Sequence, residues 1–145
     1  MKRFLLSLAI LLGSLTAGYS SHIQGGGITY QCLGGNQYLV TMKIYYDCGT
    51  FNINTNINTI NITITNNCGF LQQFLNLNKV VAQSNVQVSQ LCGAVLPQSE
   101  CSGGVQPGVW MATWSAVVTL PGVCNSWHFW HQNTGLYTST TFTLW

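Results

Sequence analysis

Residues 110–120 read WMATWSAVVTL, with an apolar side chain at every even-numbered position. The intervening positions include Thr113, Ser115 and Thr119. Successive side chains of a β-strand point to opposite faces, so this period of two is typical of a strand with one buried face. The stretch therefore predicts a long, half-buried strand.

The same alternation recurs through most of the chain after residue 20. It is clear over residues 38–46 and 60–65, and shorter apolar runs mark further candidate strands at 28–33, 70–77, 80–91 in one or two pieces, 127–131 and 136–145. Clusters of glycine, proline and asparagine separate these runs and predict turns. About 7–8 strands at this spacing, with no helical periodicity after residue 20, predict an all-β fold, an antiparallel immunoglobulin-like β-sandwich.

The chain has the length of one domain and carries very few charges. Of its 145 residues, 4% are charged, 47% are hydrophobic and 12% are aromatic. The aromatic content excludes a disordered tail. Lys43 and Lys79 are the only basic residues after residue 20. A nucleic-acid partner is therefore excluded, because phosphate binding needs a basic stripe.

The first twenty residues have the pattern of a secretory signal peptide. Two basic residues precede an apolar run at 4–15, and small residues follow it. That run is too short to span a hydrocarbon core of about 30 Å, so we expect cleavage after Ser20 rather than a membrane anchor. The sequence thus predicts a signal peptide at 1–20 and one secreted or cell-surface domain at 21–145, with no membrane span and no formal net charge.

Six cysteines, all after residue 20, predict a disulfide-stapled fold. An even number of cysteines in an exported chain is typical of an oxidised framework, and the absence of a CxxC spacing disfavours zinc. One pair brackets a short segment with the composition of a surface loop, one flanks an Asn/Thr-rich stretch, and two cysteines remain. Six cysteines permit 15 pairings, and the sequence alone does not choose among them. The first choice is Cys92 with Cys101, followed by Cys48 with Cys68, which leaves Cys32 with Cys124.

Few residues could carry catalysis or bind a metal. The two acids, Asp47 and Glu100, each precede a cysteine, which favours surface turns over a shared catalytic cleft. The sequence contains no nucleophile elbow of the GxSxG kind. His128 and His131 are three residues apart, a spacing that places them on opposite faces of a strand and is unfavourable for a metal. We therefore expect no enzyme activity, no metal site and no cofactor.

Tryptophans are the candidate ligand-binding residues. Trp110, Trp114 and Trp130 could form an exposed aromatic surface that stacks on sugar rings, with asparagine and glutamine supplying hydrogen bonds. The alternative is that tryptophan packs in the sandwich core beside a disulfide. This alternative suits Trp127, which follows Cys124 by three residues.

Residues 51–67 are compositionally biased, with asparagine and threonine alternating with isoleucine. One interpretation is an ordered strand preceded by a polar loop. The other is an uncharged edge strand at Asn58, Asn61, Thr63 and Thr65, which would pair with a neighbouring molecule because no charge opposes the pairing. The second interpretation predicts self-association.

A family resemblance covers most of the exported part. Its opening, SHIQGGGITYQCLGGNQY at 21–38, followed by IYYDC at 44–48, resembles the opening module of large secreted surface proteins of Bacteroidetes. The likeness continues through VSQLC at 88–92, CSGG at 101–104 and VTLP at 118–121. Those proteins often carry PKD-type repeats and end in gliding-motility-associated or type IX sorting domains. The resemblance implies an extracellular, non-catalytic module at the N-terminus of a longer protein.

The leading functional hypothesis is a non-catalytic binding or adhesion module of a cell-surface protein, with a protein or a glycan as its ligand. Two alternatives remain open. One is a carbohydrate-binding module that uses an aromatic platform. The other is a structural subunit that assembles through strand edges.

Overall fold

The computed structural model describes residues 23–48, 57–133 and 137–143, and these residues form an antiparallel all-β fold. Eight strands belong to one hydrogen-bonded sheet. They are β1 (Ile23–Gly34), β2 (Gln37–Asp47), β3 (Thr59–Thr65), β4 (Gln73–Lys79), β5 (Val86–Gln87), β6 (Val109–Thr119), β7 (His128–Asn133) and β8 (Tyr137–Thr143). Three short 3-10 helices lie in the connections, Val81–Gln83, Leu96–Gln98 and Glu100–Ser102. The predicted fold class is confirmed, and the predicted signal peptide lies outside the described residues.

The sheet folds over on itself at a narrow junction between β6 and β4. Across the sheet the strands follow the order β1-β2-β6-β4-β3-β7-β8, and β5 pairs with β6. β2 and β6 pair along their whole lengths, whereas β6 and β4 share two residue pairs, Asn78 with Ser115 and Lys79 with Trp114. One layer therefore contains β1, β2 and β6, and the other contains β3, β4 and β7. β1 also contacts β8, which gives the sandwich-like arrangement a barrel-like closure.

The core lies between the two layers and is built from the alternating apolar positions. Val40 on β2 and Ile62 on β3 are almost completely excluded from solvent. Removing apolar surface from water stabilises the fold by roughly 25 cal/mol per Å², so the face that carries these residues is the one that is buried. The core residues are Ile28, Val40, Met42, Tyr46, Ile60, Ile62, Ile64, Leu77, Ala112, Trp114, Val118, Leu120, Trp127 and Phe129.

Residues 80–91 do not form the predicted strand. After β4 the chain turns through a 3-10 helix, and only Val86–Gln87 pairs with β6. The Ser84 hydroxyl donates a hydrogen bond to the Val80 carbonyl oxygen (2.9 Å), and Asn85 adopts a left-handed conformation with φ 58°. The prediction is wrong because side chains that bond to nearby backbone, and asparagine at positive φ, favour turns over strands.

β3 lies inside the sheet rather than at its edge. β4 pairs with it along residues 59–64, and β7 pairs with it along residues 63–65. Where the pairing with β7 ends, His131 Nδ1 donates a hydrogen bond to a β3 carbonyl oxygen, that of Asn61, at 2.7 Å. Thr63 thus has a paired strand on each side, and the carbonyl oxygen of Asn61 is occupied by His131. Of the predicted self-association edge, formed by Asn58, Asn61, Thr63 and Thr65, Thr63 is therefore not at an open edge, and self-association through the other positions stays a prediction.

Two disulfides join the strands to long loops, one at each end of the sheet. β2 and β3 run in opposite directions, so Cys48, directly after β2, and Cys68, three residues after β3, lie at opposite ends. The bonds are Cys48 to Cys101 and Cys68 to Cys124. The disulfide-stapled fold is confirmed, and the bonds indicate an oxidising environment. The predicted partners are wrong, since the structure forms none of the pairs Cys92–Cys101, Cys48–Cys68 and Cys32–Cys124.

Strand topology explains why the remaining two cysteines, Cys32 and Cys92, are free and exposed. Cys32 lies opposite Tyr38 at the start of β2, and the strand runs about 30 Å from there to Asp47. The segment that leads to Cys92 begins at Val88, which hydrogen-bonds to the start of β6 beside Asp47. A disulfide needs Cα atoms within about 7 Å. The two thiols are therefore too far apart to bond to each other.

Candidate functional site

Trp114 belongs to the core. Its side chain is 2% exposed, and its Nε1 donates a hydrogen bond to the carbonyl oxygen of Ile57 at 3.1 Å. A ligand cannot reach this ring in the folded protein. The prediction of Trp114 as a ligand-binding residue is wrong, because the strand face that carries it is the face buried between the layers.

Trp110 is half-buried and packs on the same face of β6. Its ring centroid lies 6.4 Å from that of Tyr46, and its Nε1 is buried without a hydrogen-bond partner among the described residues. The Tyr46 hydroxyl donates to Asn85 Oδ1 at 2.7 Å, and burial raises the pKa of this hydroxyl. Trp110 therefore covers a buried tyrosine, and the exposed platform predicted from Trp110 and Trp114 is not formed.

Trp130 lies on the outer face of the second layer, where it is half-buried. It stands opposite Thr63 of β3, and Thr63 stands opposite Phe74 of β4. The three side chains form one row across three adjacent strands, which we call the aromatic row. Phe74 is 72% exposed. Of the three predicted tryptophans, Trp130 is the one that the fold places on an outer face with a second aromatic residue.

Polar side chains surround the aromatic row. On one side Asn61 pairs with Asn76, and both side chains are exposed. On the other side Thr65 pairs with His128. The charged residues of the described part lie elsewhere. Lys43 and Asp47 are on β2, and Glu100 is in a 3-10 helix. Lys79 is on β4, at a position that strand alternation assigns to the opposite face.

Phe74 is the residue of the row that the sequence analysis did not identify. In β4 the alternation places Leu75 and Leu77 on one face, and Phe74 with Asn76 on the other. An aromatic residue on an otherwise polar strand face is the signal that could have identified it. The predicted strand at 70–77 did not separate the two faces, so the signal went unused.

The two acids lie closer together than separate surface turns imply. Asp47 and Glu100 directly precede the two cysteines of one disulfide, whose Cα atoms are 4.9 Å apart. Both described histidines lie on β7, in the other layer, and His131 is bonded to a backbone carbonyl. Within residues 23–48, 57–133 and 137–143, no three His, Cys, Asp or Glu side chains are grouped as a metal site would require.

A network of neutral side chains holds the loops at the acidic end of the sheet. Gln87 Nε2 donates a hydrogen bond to the hydroxyl of Ser99 at 2.6 Å, and Ser99 is fully buried. The backbone N–H of Val109 donates to the hydroxyl of Ser89 at 2.9 Å. These bonds satisfy polar groups that pack beside the disulfide, so the polar residues here have a structural role.

No known protein family, curated protein or solved structure matched this chain. In the part of the chain that the structure describes, no helix is long and apolar enough to cross a membrane. Function is therefore inferred from the side chains and their placement.

Proposed function

We propose that this chain is a non-catalytic binding module that acts outside the cell, at the N-terminus of a longer surface protein. The two disulfides support an oxidising location. The basic and apolar pattern of residues 1–20 supports export. The resemblance of residues 21–38 and 44–48 to secreted surface proteins of Bacteroidetes supports the placement in a longer protein.

The aromatic row is the observation that carries the proposal. A single exposed apolar side chain is common on protein surfaces and needs no explanation. Here Phe74 shares a cross-strand row with Trp130, and exposed amides lie directly beside it. Aromatic residues offer large, rigid contact areas at a low cost in conformational entropy, and binding surfaces are enriched in them. The row thus supports a ligand surface on the outer face of β3, β4 and β7.

The positions of the ionisable groups support a module without catalysis. Acid–base chemistry needs its groups within hydrogen-bond reach of one substrate. Asp47 and Glu100 lie at the disulfide that follows β2, whereas His128 and His131 lie on β7, four places away in the sheet. The two described acids are thereby separated from the two described histidines, which lie in the other layer.

Binding to arrays of immobilised ligands tests the proposal. The oxidised full chain is applied to one array of purified glycans and to one array of purified extracellular proteins. We expect saturable binding to at least one array, and loss of that binding in Phe74→Ala. Leu71→Ala is the matched control, because Leu71 is 87% exposed but lies in the loop before β4, outside the row.

Two outcomes would overturn the proposal. One is an absence of saturable binding on both arrays by a chain whose two disulfides are intact. The other is turnover, detected as product release from glycoside, peptide or ester substrates, that is lost in Asp47→Asn or Glu100→Gln. Either result would show that non-catalytic ligand binding on the outer face is not the function of this chain.

A further inference from the structure

We infer that the aromatic row binds a neutral glycan, with one sugar ring held between Phe74 and Trp130 above Thr63. The inference rests on the proposed function as a binding module and names the chemical class of its ligand. It goes beyond the platform predicted from the tryptophans, because it keeps only Trp130 of the three and adds Phe74 from a different strand.

The spacing of the row suits a single saturated ring. Directly opposed residues of adjacent strands have Cβ atoms about 5 Å apart, so Phe74 and Trp130, two strands apart, are separated by about 10 Å. Thr63 is short and lies between them, so we place the ring in the channel above Thr63, with one aromatic residue on each side. Carbon atoms in contact are about 3.5–4.0 Å apart, so a ring held between two aromatic faces needs about 7–8 Å.

Hydrogen-bonding groups lie where the hydroxyls of such a ring would project. Asn61 and Asn76 form the next row, directly beside Thr63 and Phe74 on β3 and β4. Each amide offers two donor hydrogens and an acceptor oxygen, and the threonine hydroxyl offers both functions. Sugar hydroxyls are donors and acceptors too, so the face can satisfy both kinds of group.

The absence of charge on this face selects among ligand classes. An acidic glycan or a nucleic acid would need cationic side chains, and the described lysines lie off the face, Lys43 on β2 and Lys79 on the opposite side of β4. Binding of a peptide by strand addition would use a strand edge, whereas the aromatic row lies on the face of the sheet, with Thr63 paired on both sides. A neutral sugar presents C–H groups to the rings and hydroxyls to the amides.

Calorimetric titration of the oxidised full chain with defined oligosaccharides tests the inference. The neutral probes are hexasaccharides of β-1,4-glucose, β-1,4-mannose and β-1,4-N-acetylglucosamine, and the charged probe is a hexamer of galacturonic acid. We expect at least one neutral probe to bind, with a dissociation constant below about 1 mM, and the charged probe to bind at least about tenfold more weakly.

Variants locate the site. Phe74→Ala and Trp130→Ala each remove one stacking surface, and we expect each to weaken binding about tenfold. Thr63→Lys fills the channel and should abolish binding. Leu71→Ala removes an exposed side chain outside the row and should leave the affinity unchanged. Thermal unfolding checks that each variant folds, and Phe74→Ala decides the outcome if Trp130→Ala does not fold, since Phe74 makes little contact with the core.

Three results would overturn the inference: no binding of any neutral probe, binding that survives Phe74→Ala, or stronger binding of the charged hexamer. Failure of the inference is distinguishable from failure of the proposed function. Saturable binding to a purified extracellular protein that is lost in Phe74→Ala, without binding of any glycan, would refute the glycan and retain the binding module. An absence of binding to either class would refute both.

Discussion

Trp114 Nε1 donates a hydrogen bond to the carbonyl oxygen of Ile57, a residue that lies 57 positions earlier in the chain. The bond joins β6 of one layer to the segment that enters β3 of the other. Trp114 also pairs with Lys79 at the narrow junction between β6 and β4. One buried indole therefore contributes to the place where the sheet folds over.

Replacing Trp114 should destabilise the fold, whereas replacing Trp130 in the same way should not. Trp114→Phe removes the donor, leaves the Ile57 carbonyl oxygen unpaired and opens a cavity, so we expect a loss of about 2–4 kcal/mol in the free energy of unfolding. Trp130→Phe alters a half-buried ring on an outer face and should cost less than about 1 kcal/mol. Urea denaturation followed by circular dichroism measures both, and equal losses would contradict the assignment of Trp114 to the core.

Removing a disulfide should lower the free energy of unfolding, whereas replacing the two free cysteines should have little effect on it. Each bond closes a segment of more than fifty residues, 53 for one and 56 for the other. Chain-entropy arguments assign about 4 kcal/mol to a loop of this length, so Cys68→Ala with Cys124→Ala should cost about that much. Cys32→Ser with Cys92→Ser should change the free energy of unfolding by less than about 1 kcal/mol.

Peptide mapping under non-reducing conditions checks the pairing directly. We expect bridges from Cys48 to Cys101 and from Cys68 to Cys124. Alkylation before any reduction should label Cys32 and Cys92. A Cys92–Cys101 bridge would contradict the Cys48–Cys101 bond, and an intramolecular bond between Cys32 and Cys92 would require a different arrangement of the strands.

Gly26 should tolerate no side chain, because its strand runs close to β2. A Cβ atom at this position would lie 2.7 Å from the backbone carbonyl oxygen of Lys43. We expect Gly26→Ala to lower the free energy of unfolding by about 1–3 kcal/mol, since the two strands would have to move apart. Gly93→Ala is the control, because open space surrounds that position. Similar stabilities for the two variants would exclude the close pairing of β1 and β2 at Gly26.

Tyr46 should make stability fall at alkaline pH. Burial raises the pKa of its hydroxyl above the usual value near 10, so the unfolded chain releases this proton before the folded chain does. Its contribution is therefore fully present below about pH 10, and it is lost as the pH rises through the folded-state pKa. Urea denaturation between pH 7 and pH 12 should show a smaller alkaline decline for Tyr46→Phe than for the wild type.

The variant Asn85→Gly distinguishes the effect of Tyr46 titration on stability from the effect of the hydrogen bond between Tyr46 and Asn85. Glycine tolerates the left-handed φ of 58°, and the variant removes the amide oxygen that accepts from Tyr46. It should cost about 1 kcal/mol at neutral pH while keeping an alkaline decline, because the tyrosine is still buried. A decline of equal size in wild type and Tyr46→Phe would show that other groups cause it.

Strand identity could be predicted from the sequence because it depends on a local pattern. Alternation over 38–46, 60–65 and 110–120 corresponds to β2, β3 and β6, since each strand buries one face whatever its neighbours are. The same reasoning failed over residues 80–91, where Ser84 bonds to the nearby carbonyl oxygen of Val80 and Asn85 adopts a positive φ, so that the chain turns. Serine and asparagine at these two positions favour a turn, whereas the apolar positions on either side of them also match a strand pattern.

Only the tertiary structure decided which strands are neighbours, and the cysteine pairing and the aromatic row both depend on that choice. Trp114 and Trp130 both lie within strands, yet one faces the core and the other an outer face. Phe74 and Trp130 are more than fifty residues apart, and β3 brings them into one row. Alternation specifies two faces for each strand, but which face is covered, and by which strand, is set by long-range pairing and by burial of apolar surface between the layers.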